Sequence, residues 1–331
     1  MSGAATDHQA ISSLTDRTYV EGVYSLMNPQ LGTTRTNKPF LKCILRDATG
    51  EMPARMWTFE EAQYQDLVDV GFVHVRGNVQ FYQGVAQLIL ETIERAEVTP
   101  DQIRSLLPCT KKDIDEMFAR VLEIMRSLTH PAMCELAEQY LTDERLMTDF
   151  RQAPAAVQVH HAWIGGLLEH TLNLLELAER ALPLYPGLNR DLVLMGLFLH
   201  DLAKTIEMEW ARGFTSTDEG QLVGHIVRGA IWLQVKAAHA AKRSGISLPG
   251  DTLRVLQHIL LSHHGQLEHG AAKLPATPEA IFVSQLDNLD ARMGIVMQAA
   301  RRDVVSGTGG GMWTERVWAI DTKVYRPDPL A

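Results

Sequence analysis

The 331 residues leave room for two or three domains, and 46% apolar with 21% charged residues is the balance of an ordinary soluble globular protein. A net charge of −9 excludes a mainly electrostatic nucleic-acid binder, so any such contact must come from local patches, stacking or metal ions. No apolar run approaches the ~20 residues of a membrane helix, so no membrane partner is expected. The polar first residues hold no secretory core, and Cys43, Cys109 and Cys134 form no metal-like or disulfide-like pattern. A reducing, cytoplasmic compartment is the expectation.

Residues 1–15 read as a disordered leader. From 16 to 97 the apolar pattern has a short period, and strands are predicted over 19–27, 40–47, 52–58, 72–81 and 86–93. Phe40, Cys43 and Leu45 mark one apolar face, and Val73, Val75, Val79 and Phe81 another. Asn28-Pro29, Ala48-Thr49-Gly50-Glu51 and Gln83-Gly84 are turn signals. A short helical segment over 60–68 falls after the third strand, which is the element order of a five-stranded OB-fold β-barrel. Such barrels hold single strands by stacking bases on aromatics along a groove. Phe40, Trp57, Phe81 and Tyr82 are the stacking candidates; Lys38, Lys42, Arg55 and Arg76 are candidates for following the phosphates. The same aromatics would serve equally well as barrel core. Residues 15–97 carry 8 Lys/Arg against 11 Asp/Glu, so only modest binding is expected of this module.

Residues 98–150 read as a helical connector, with helices over 101–107, 112–128 and 131–142. Thr110 with Asp113 looks like a capping box ahead of the stripe Ile114, Met117, Phe118, Val121, Leu122, Met125. The stretch 151–305 then reads as all-helical. Ten of the 13 histidines fall between His160 and His269, and such concentration marks metal or acid–base sites. At its centre, residues 192–204 form a nearly unbroken apolar run that ends in His200-Asp201 and reads as a buried helix. A buried His beside a buried Asp is costly without a partner. A divalent ion is the simplest one, and imidazole with carboxylate suits Mn, Fe, Co, Ni or Zn. The Gly165-Gly166 pair weakens a helix and suggests close approach of backbone to substrate or to a neighbouring helix. Beyond 305, the glycines of 307–311 make a joint before a tail with Trp313, Trp318 and Tyr325. That tail is expected to dock on its own domain or on a neighbouring subunit, which leaves a homo-oligomer open.

Four segments carry the histidines: His160-His161-Ala162-x-x-Gly165-Gly166-Leu167-Leu168-Glu169-His170-Thr171, His200-Asp201-x-x-Lys204, Gly224-His225-Ile226, and Ser262-His263-His264-Gly265 with Leu286-Asp287-x-Leu289-Asp290. The ordered series resembles the HD-domain metal-dependent phosphohydrolases. Behind an OB-like module, the shorter signatures are similar to the YhaM-type 3′–5′ exoribonucleases over roughly residues 15–300. The resemblance implies a multi-domain α and β protein, an OB-fold barrel followed by an all-α HD domain. It implies metal-dependent 3′–5′ exonuclease action on single-stranded RNA, with single-stranded DNA as a second candidate. It also implies two divalent ions per chain, Mn²⁺ first among them, with Fe, Co and Ni allowed by the ligands. Carried over by position, His170, His200, Asp201 and Asp287 match ligands of the first ion. His225, His263 and His264 match ligands of the second, with Asp201 bridging and a bridging water as nucleophile. Lys204 is the candidate for a positive charge on the phosphate, with Arg228 behind it, and His161 is a candidate for supporting a ligand or touching substrate. His239, His258 and His269 lie off the motif and are expected to be surface or capping residues. A Gly-Tyr-Pro signature of cyclic-dinucleotide phosphodiesterases is missing after His263-His264, which weighs against that activity. Two other readings remain: a phosphohydrolase of small nucleotides, and a non-enzymatic single-strand-binding protein with an inactive HD site.

Overall fold

The computed structural model describes residues 8–34, 36–68, 70–82, 85–99, 102–103, 106–156, 161–210, 214–305 and 312–327. The chain divides into two compact units. One reaches Cys109 and takes in the segment from Val296 onward; the other is Thr110–Glu209 with Phe214–Ile295.

In the first unit, β1 (Tyr19–Thr33), β2 (Pro39–Asp47), β3 (Gly50–Met56), β4 (Phe72–Tyr82) and β5 (Val85–Arg95) close a barrel in the order β1-β2-β3-β5-β4. Its closure is parallel, through Ala54 opposite Leu88 and Arg55 opposite Ile89. The single helical turn α1 (Gln65–Val68) lies between β3 and β4 in sequence, the position expected of an OB barrel. Period-two alternation sends Leu41, Cys43 and Leu45 of β2 and Val73, Val75 and Val79 of β4 into one core. One turn signal misleads. Asn28-Pro29 does not end β1, which runs on to Thr33. Instead the register slips between Met27 and Gln30, and Asn28 takes up the extra residue at φ 47°, a left-handed conformation that Asn tolerates. The Pro29 carbonyl accepts from the Tyr64 hydroxyl. Ala48-Thr49 does separate β2 from β3, and the third turn signal, Gln83-Gly84, lies outside the described residues.

Part of the stretch expected to be a disordered leader is fixed against the barrel. Buried Asp47 accepts from the backbone of Ile11, and its other oxygen from Thr49 and the Gly50 amide. Ile11 enters the barrel core. The C-terminal segment forms a hairpin of β8 (Trp313–Val317) and β9 (Thr322–Tyr325), with the Trp313 and Tyr325 rings 5.0 Å apart; the glycines before it lie outside the described residues.

The second unit holds α2 (Ile114–Arg126), α3 (Pro131–Leu141), α4 (Glu144–Gln152), α5 (Gly166–Ala181), α6 (Arg190–Leu199), α7 (Lys204–Glu207), α8 (Asp218–Leu222), α9 (Gly224–Ser244) and α10 (Gly250–Ser262), and α11 (Pro278–Val305) starts in it. A two-stranded ribbon, β6 (Met208–Glu209) with β7 (Thr215–Ser216), interrupts the helical half. The expected helix over 101–107 lies partly outside the described residues. Asp113, not Thr110, caps α2 by accepting from the amides of Asp115 and Glu116. The Thr110 hydroxyl is committed elsewhere, donating to Glu169. The apolar run is α6. Asn189 caps its start, and Val193, Leu194, Met195 and Leu197 are wholly buried. Phe198 meets Tyr140 and Phe150 edge-on at 6.2 and 6.0 Å. Each fully buried Leu or Phe contributes roughly 1.5–3 kcal/mol. Gly196 lets α10 close in, since a Cβ there would lie 2.9 Å from the Ile259 side chain. The helix stops at Leu199, so His200-Asp201 leaves its C-terminal end rather than riding on it.

Candidate metal centre

Five stretches deliver ligands to one place inside the second unit. His170 comes from the second turn of α5, His200 and Asp201 from the end of α6, and His225 from the first turn of α9. His263 and His264 follow α10, and Asp287 sits within α11. Two helices therefore bring their carbonyl ends, the negative poles of their dipoles, to the site. His200 and His263 use those ends in the same way. Each caps its helix and donates from Nδ1 to the carbonyl three residues back, Leu197 at 2.6 Å and Leu260 at 2.7 Å. A carbonyl can only accept, so both rings carry the proton on Nδ1 and aim a bare Nε2 inward. Carboxylates do the same for His170 and His225, while Nδ1 of His264 is buried with no hydrogen-bond partner among the described residues. Asp290 holds Nδ1 of His170 at 2.7 Å, and Glu207 holds Nδ1 of His225 at 2.7 Å. Anchoring of this kind fixes tautomer and ring orientation in metal-ligating histidines.

The inward atoms crowd together. Nε2 of His170 lies 3.2 Å from Nε2 of His200 and 3.2 Å from Oδ1 of Asp287. Asp201 spans two groups. Its Oδ2 is 3.4 Å from Nε2 of His200, and its Oδ1 is 3.3 Å from Nε2 of His225 and 3.5 Å from Nε2 of His263. Asp201 with His225, His263 and His264, and His170 with His200 and Asp287, are two sets whose ligand atoms lie within 4.8 Å of one another. Oδ1 of Asp201 and Nε2 of His225 and His263 are buried and have no hydrogen-bond partner among the described residues. Each such orphan costs about 1–3 kcal/mol. Three acceptors facing one another cannot satisfy each other; a cation among them satisfies all three. The donor set fits a divalent metal of the borderline type.

Charge states agree. Burial alone would raise Asp201, but Lys204 and then His200 hold it well below the usual carboxylate range. Burial lifts Asp287 too, and the hydrogen bond from His170, with His200 beside it, pulls it below its ordinary value. Burial, then His263, pushes His264 down to about 3, and burial lowers His263 as well, which keeps both rings neutral and able to ligate. Burial lowers His170, yet its hydrogen bonds to Asp287 and Asp290 overcome this and lift it to about 9.

The other candidates are placed as follows. Lys204 Nζ donates to Oδ2 of Asp201 at 2.7 Å and to the Ala155 carbonyl at 2.9 Å. His161 is buried at φ 55° with Nε2 2.9 Å from Oδ2 of Asp290, so one carboxylate joins His161 to the ligand His170. Arg228 is ion-paired with Glu219. His160 lies outside the described residues. His258 Nε2 accepts from the Ala276 amide in the loop ahead of α11. On the barrel, Lys42 of β2 faces Arg55 of β3, the Phe40 and Trp57 rings lie 5.1 Å apart, and the Arg55 guanidinium sits 5.6 Å over Trp57. Trp57 is 45% exposed, so it is not core. Tyr82 ends β4, and nothing further is assigned to it. Sequence reading gives Glu207 no notice, and Asp290, though part of the Leu286-Asp287-x-Leu289-Asp290 segment, no role. Asp290 stands three residues after Asp287 on one helix face, a spacing that could have flagged it; Glu207, eighteen residues from His225, gave no signal.

No helix among the described residues is long and apolar enough to cross a membrane. The chain matches the HD domain family over residues 167–292. It is 34% identical over 300 residues to the 3′-5′ exoribonuclease YhaM of Geobacillus sp. (strain WCH70), covering 89% of this chain and 88% of that one. It is 32% identical over 299 residues to the 3′-5′ exoribonuclease YhaM of Listeria monocytogenes serotype 4b (strain CLIP80459), covering 89% and 90%. Among solved structures, the second OB-fold domain of replication protein A from Methanococcus maripaludis covers 28% of this chain and 97% of its own at 17% identity, with a TM-score of 0.22. Ligand series, fold order and relatives spanning nine-tenths of their own length converge, and the chain belongs to the family of YhaM 3′–5′ exoribonucleases.

Proposed function

We propose that this protein is a metal-dependent hydrolase that removes nucleotides from the 3′ end of single-stranded RNA, holding two divalent ions, Mn²⁺ foremost, between His170, His200, Asp287 and Asp201 on one side and Asp201, His225, His263 and His264 on the other. The observation that carries this is Asp201, whose two oxygens address two separate sets of ligands. Divalent ions bound there lower the pKa of water toward ~7 and offset charge on a phosphodiester. The chain's own part is to hold the imidazoles oriented, to keep Asp201 ionised through Lys204, and to enclose the ligands away from bulk water. Lys204 lies at the same carboxylate and can supply a positive charge to a phosphate when that contact loosens. Phe40, Trp57, Lys42 and Arg55 form a partly exposed aromatic and basic patch suited to stacking and backbone contact with a single strand. A cytoplasmic setting suits three cysteines in no disulfide-like pattern.

The test is incubation of the purified protein with 5′-labelled single-stranded RNA and DNA across a panel of divalent ions. A ladder shortening from the 3′ end in Mn²⁺, abolished by chelation and by Asp201→Ala, is the expected result. Turnover of free nucleotides with intact oligonucleotides would instead point to a small-molecule phosphohydrolase.

A further inference from the structure

Beside the candidate metal centre the chain leaves an open cavity of about 80 Å³, lined by His264, Gln266, His269, Ser284, Gln285 and Asn288. Three observations say what it accepts. First, the lining contains no lysine, arginine, aspartate or glutamate. A phosphate would find no cation there and an ammonium no anion, so the ligand is neutral and polar. Second, three of the side chains are carboxamides, each offering both a donor and an acceptor. That is the pattern shown by base edges and by a ribose hydroxyl. A carboxamide that turns over presents the opposite pattern, so such a wall suits any of the four bases. Third, His264 belongs both to this lining and to the ligand set with Asp201, His225 and His263. A group filling the cavity therefore abuts the reacting centre. Ser284 and Asn288 flank Asp287 on α11, so the helix that supplies a ligand also supplies the wall. Gly265 at φ 76° closes the corner, since a Cβ there would lie 2.6 Å from the Ser284 hydroxyl. The cavity is small and open to solvent, so it takes a polar edge of a ligand rather than a stretch of strand.

We propose that this open cavity receives the polar edge of the strand's 3′-terminal nucleoside, with Gln266, Gln285 and Asn288 bonding its base edge or sugar hydroxyl. The assignment rests on the exonuclease reading above and adds to it the site that selects one nucleotide per cycle.

The experiment compares the full-length protein with its Gln285→Ala/Asn288→Ala variant. Both positions are solvent-exposed and helical, and Ala favours helix, so folding is expected to be unaffected; a melting curve checks this. Each protein is given two 5′-labelled oligoribonucleotides, one natural and one abasic at its 3′-terminal residue. Wild type should lose tenfold or more in kcat/KM on the abasic strand, and the variant should show a comparable loss on the natural one. Within the variant, the abasic replacement should then cost less than twofold. An abasic penalty of equal size in both proteins would overturn the assignment. Titration calorimetry with adenosine 5′-monophosphate and ribose 5-phosphate separates the two layers. Weaker nucleotide binding by the variant in a protein that degrades no RNA would sink the exonuclease reading and leave the nucleoside seat standing. Equal nucleotide binding by both proteins would remove the seat whatever the nuclease result.

Discussion

Glu207 accepts from both the backbone amide and the Nδ1 of His225, so a single carboxylate fixes where α9 begins and which way its first ligand points. Burial raises Glu207, and the His225 hydrogen bond brings it below its ordinary value, so it stays ionised. Removing the anchor frees the ring to rotate and to shift its proton. Glu207→Ala should weaken metal binding about 10- to 100-fold, the usual effect of losing such a support. Glu207→Gln keeps a carbonyl that can accept from Nδ1 and should lose less. Metal content after dialysis against graded chelator, compared for the three proteins, decides the matter; equal content in all three removes the anchoring role.

Lys204 is largely buried, and its ammonium rests on Asp201. Burial lowers it and Asp201 lifts it above its ordinary value. Breaking a buried pair from one side leaves an uncompensated charge, at a cost of about 3–5 kcal/mol. Metal-free Asp201→Ala should therefore unfold earlier in urea by an amount in that range. Asp201→Ala/Lys204→Met should recover most of the loss while staying inactive. If the single variant is as stable as wild type without metal, the pair is not a structural one.

Much of this was legible in the sequence because the chemistry is dense in the chain. His200-Asp201 at the end of an apolar run, and the ordered histidines, could be read as candidate ligands through their resemblance to the HD series, and their side chains do converge. The barrel was legible from its alternation and its helix after the third strand. What could not be read was contact across distance. The Glu207 support depends on a turn of α7 meeting the first turn of α9, and nothing local to either residue encodes it. Asn28-Pro29 reads as a turn because both residues favour turns; the neighbouring strand's pairing overrides that preference and converts it to a bulge. Thr110 fits a cap by spacing, yet its hydroxyl goes to Glu169, fifty-nine residues on. Tyr24 and Trp57 look alike in sequence, but only register places one in the core and the other on the surface.

His170, lifted to about 9 by Asp287 and Asp290 against the pull of burial, is protonated at neutral pH when no metal is bound. A metal ligand must be bare at Nε2, so binding must expel that proton. At pH 7.5 the affinity titration should release about one proton from this site, seen as a dependence of the calorimetric heat on buffer ionisation enthalpy. Stability follows the opposite course. The folded-state value lies above the unfolded 6.5, so the stabilisation is complete below pH 6.5 and lost as pH rises through about 9. Metal-free protein should lose stability across that window, and His170→Gln should flatten the loss. A metal-free profile that rises from pH 6.5 to 9 contradicts the assignment.

Gly166 opens α5 one turn before His170, and the pair Gly165-Gly166 reflects packing rather than substrate. A Cβ on Gly166 would lie 2.0 Å from the His161 carbonyl oxygen, and one on Gly165, at φ 79°, would lie 2.9 Å from Thr110. Backbone cannot swing aside as a side chain can. Gly166→Ala must therefore push the 161 turn away, and with it the His161 ring that shares Asp290 with His170. Overpacking of this kind costs about 1–3 kcal/mol. Gly187 is the control, because a methyl group added there would meet nothing within 4 Å and Gly187→Ala should leave melting unchanged. Gly166→Ala should melt several degrees lower and bind metal more weakly, because the Asp290 support moves with the turn. Lower melting with unaltered metal affinity would show that the turn and the ligand are independent.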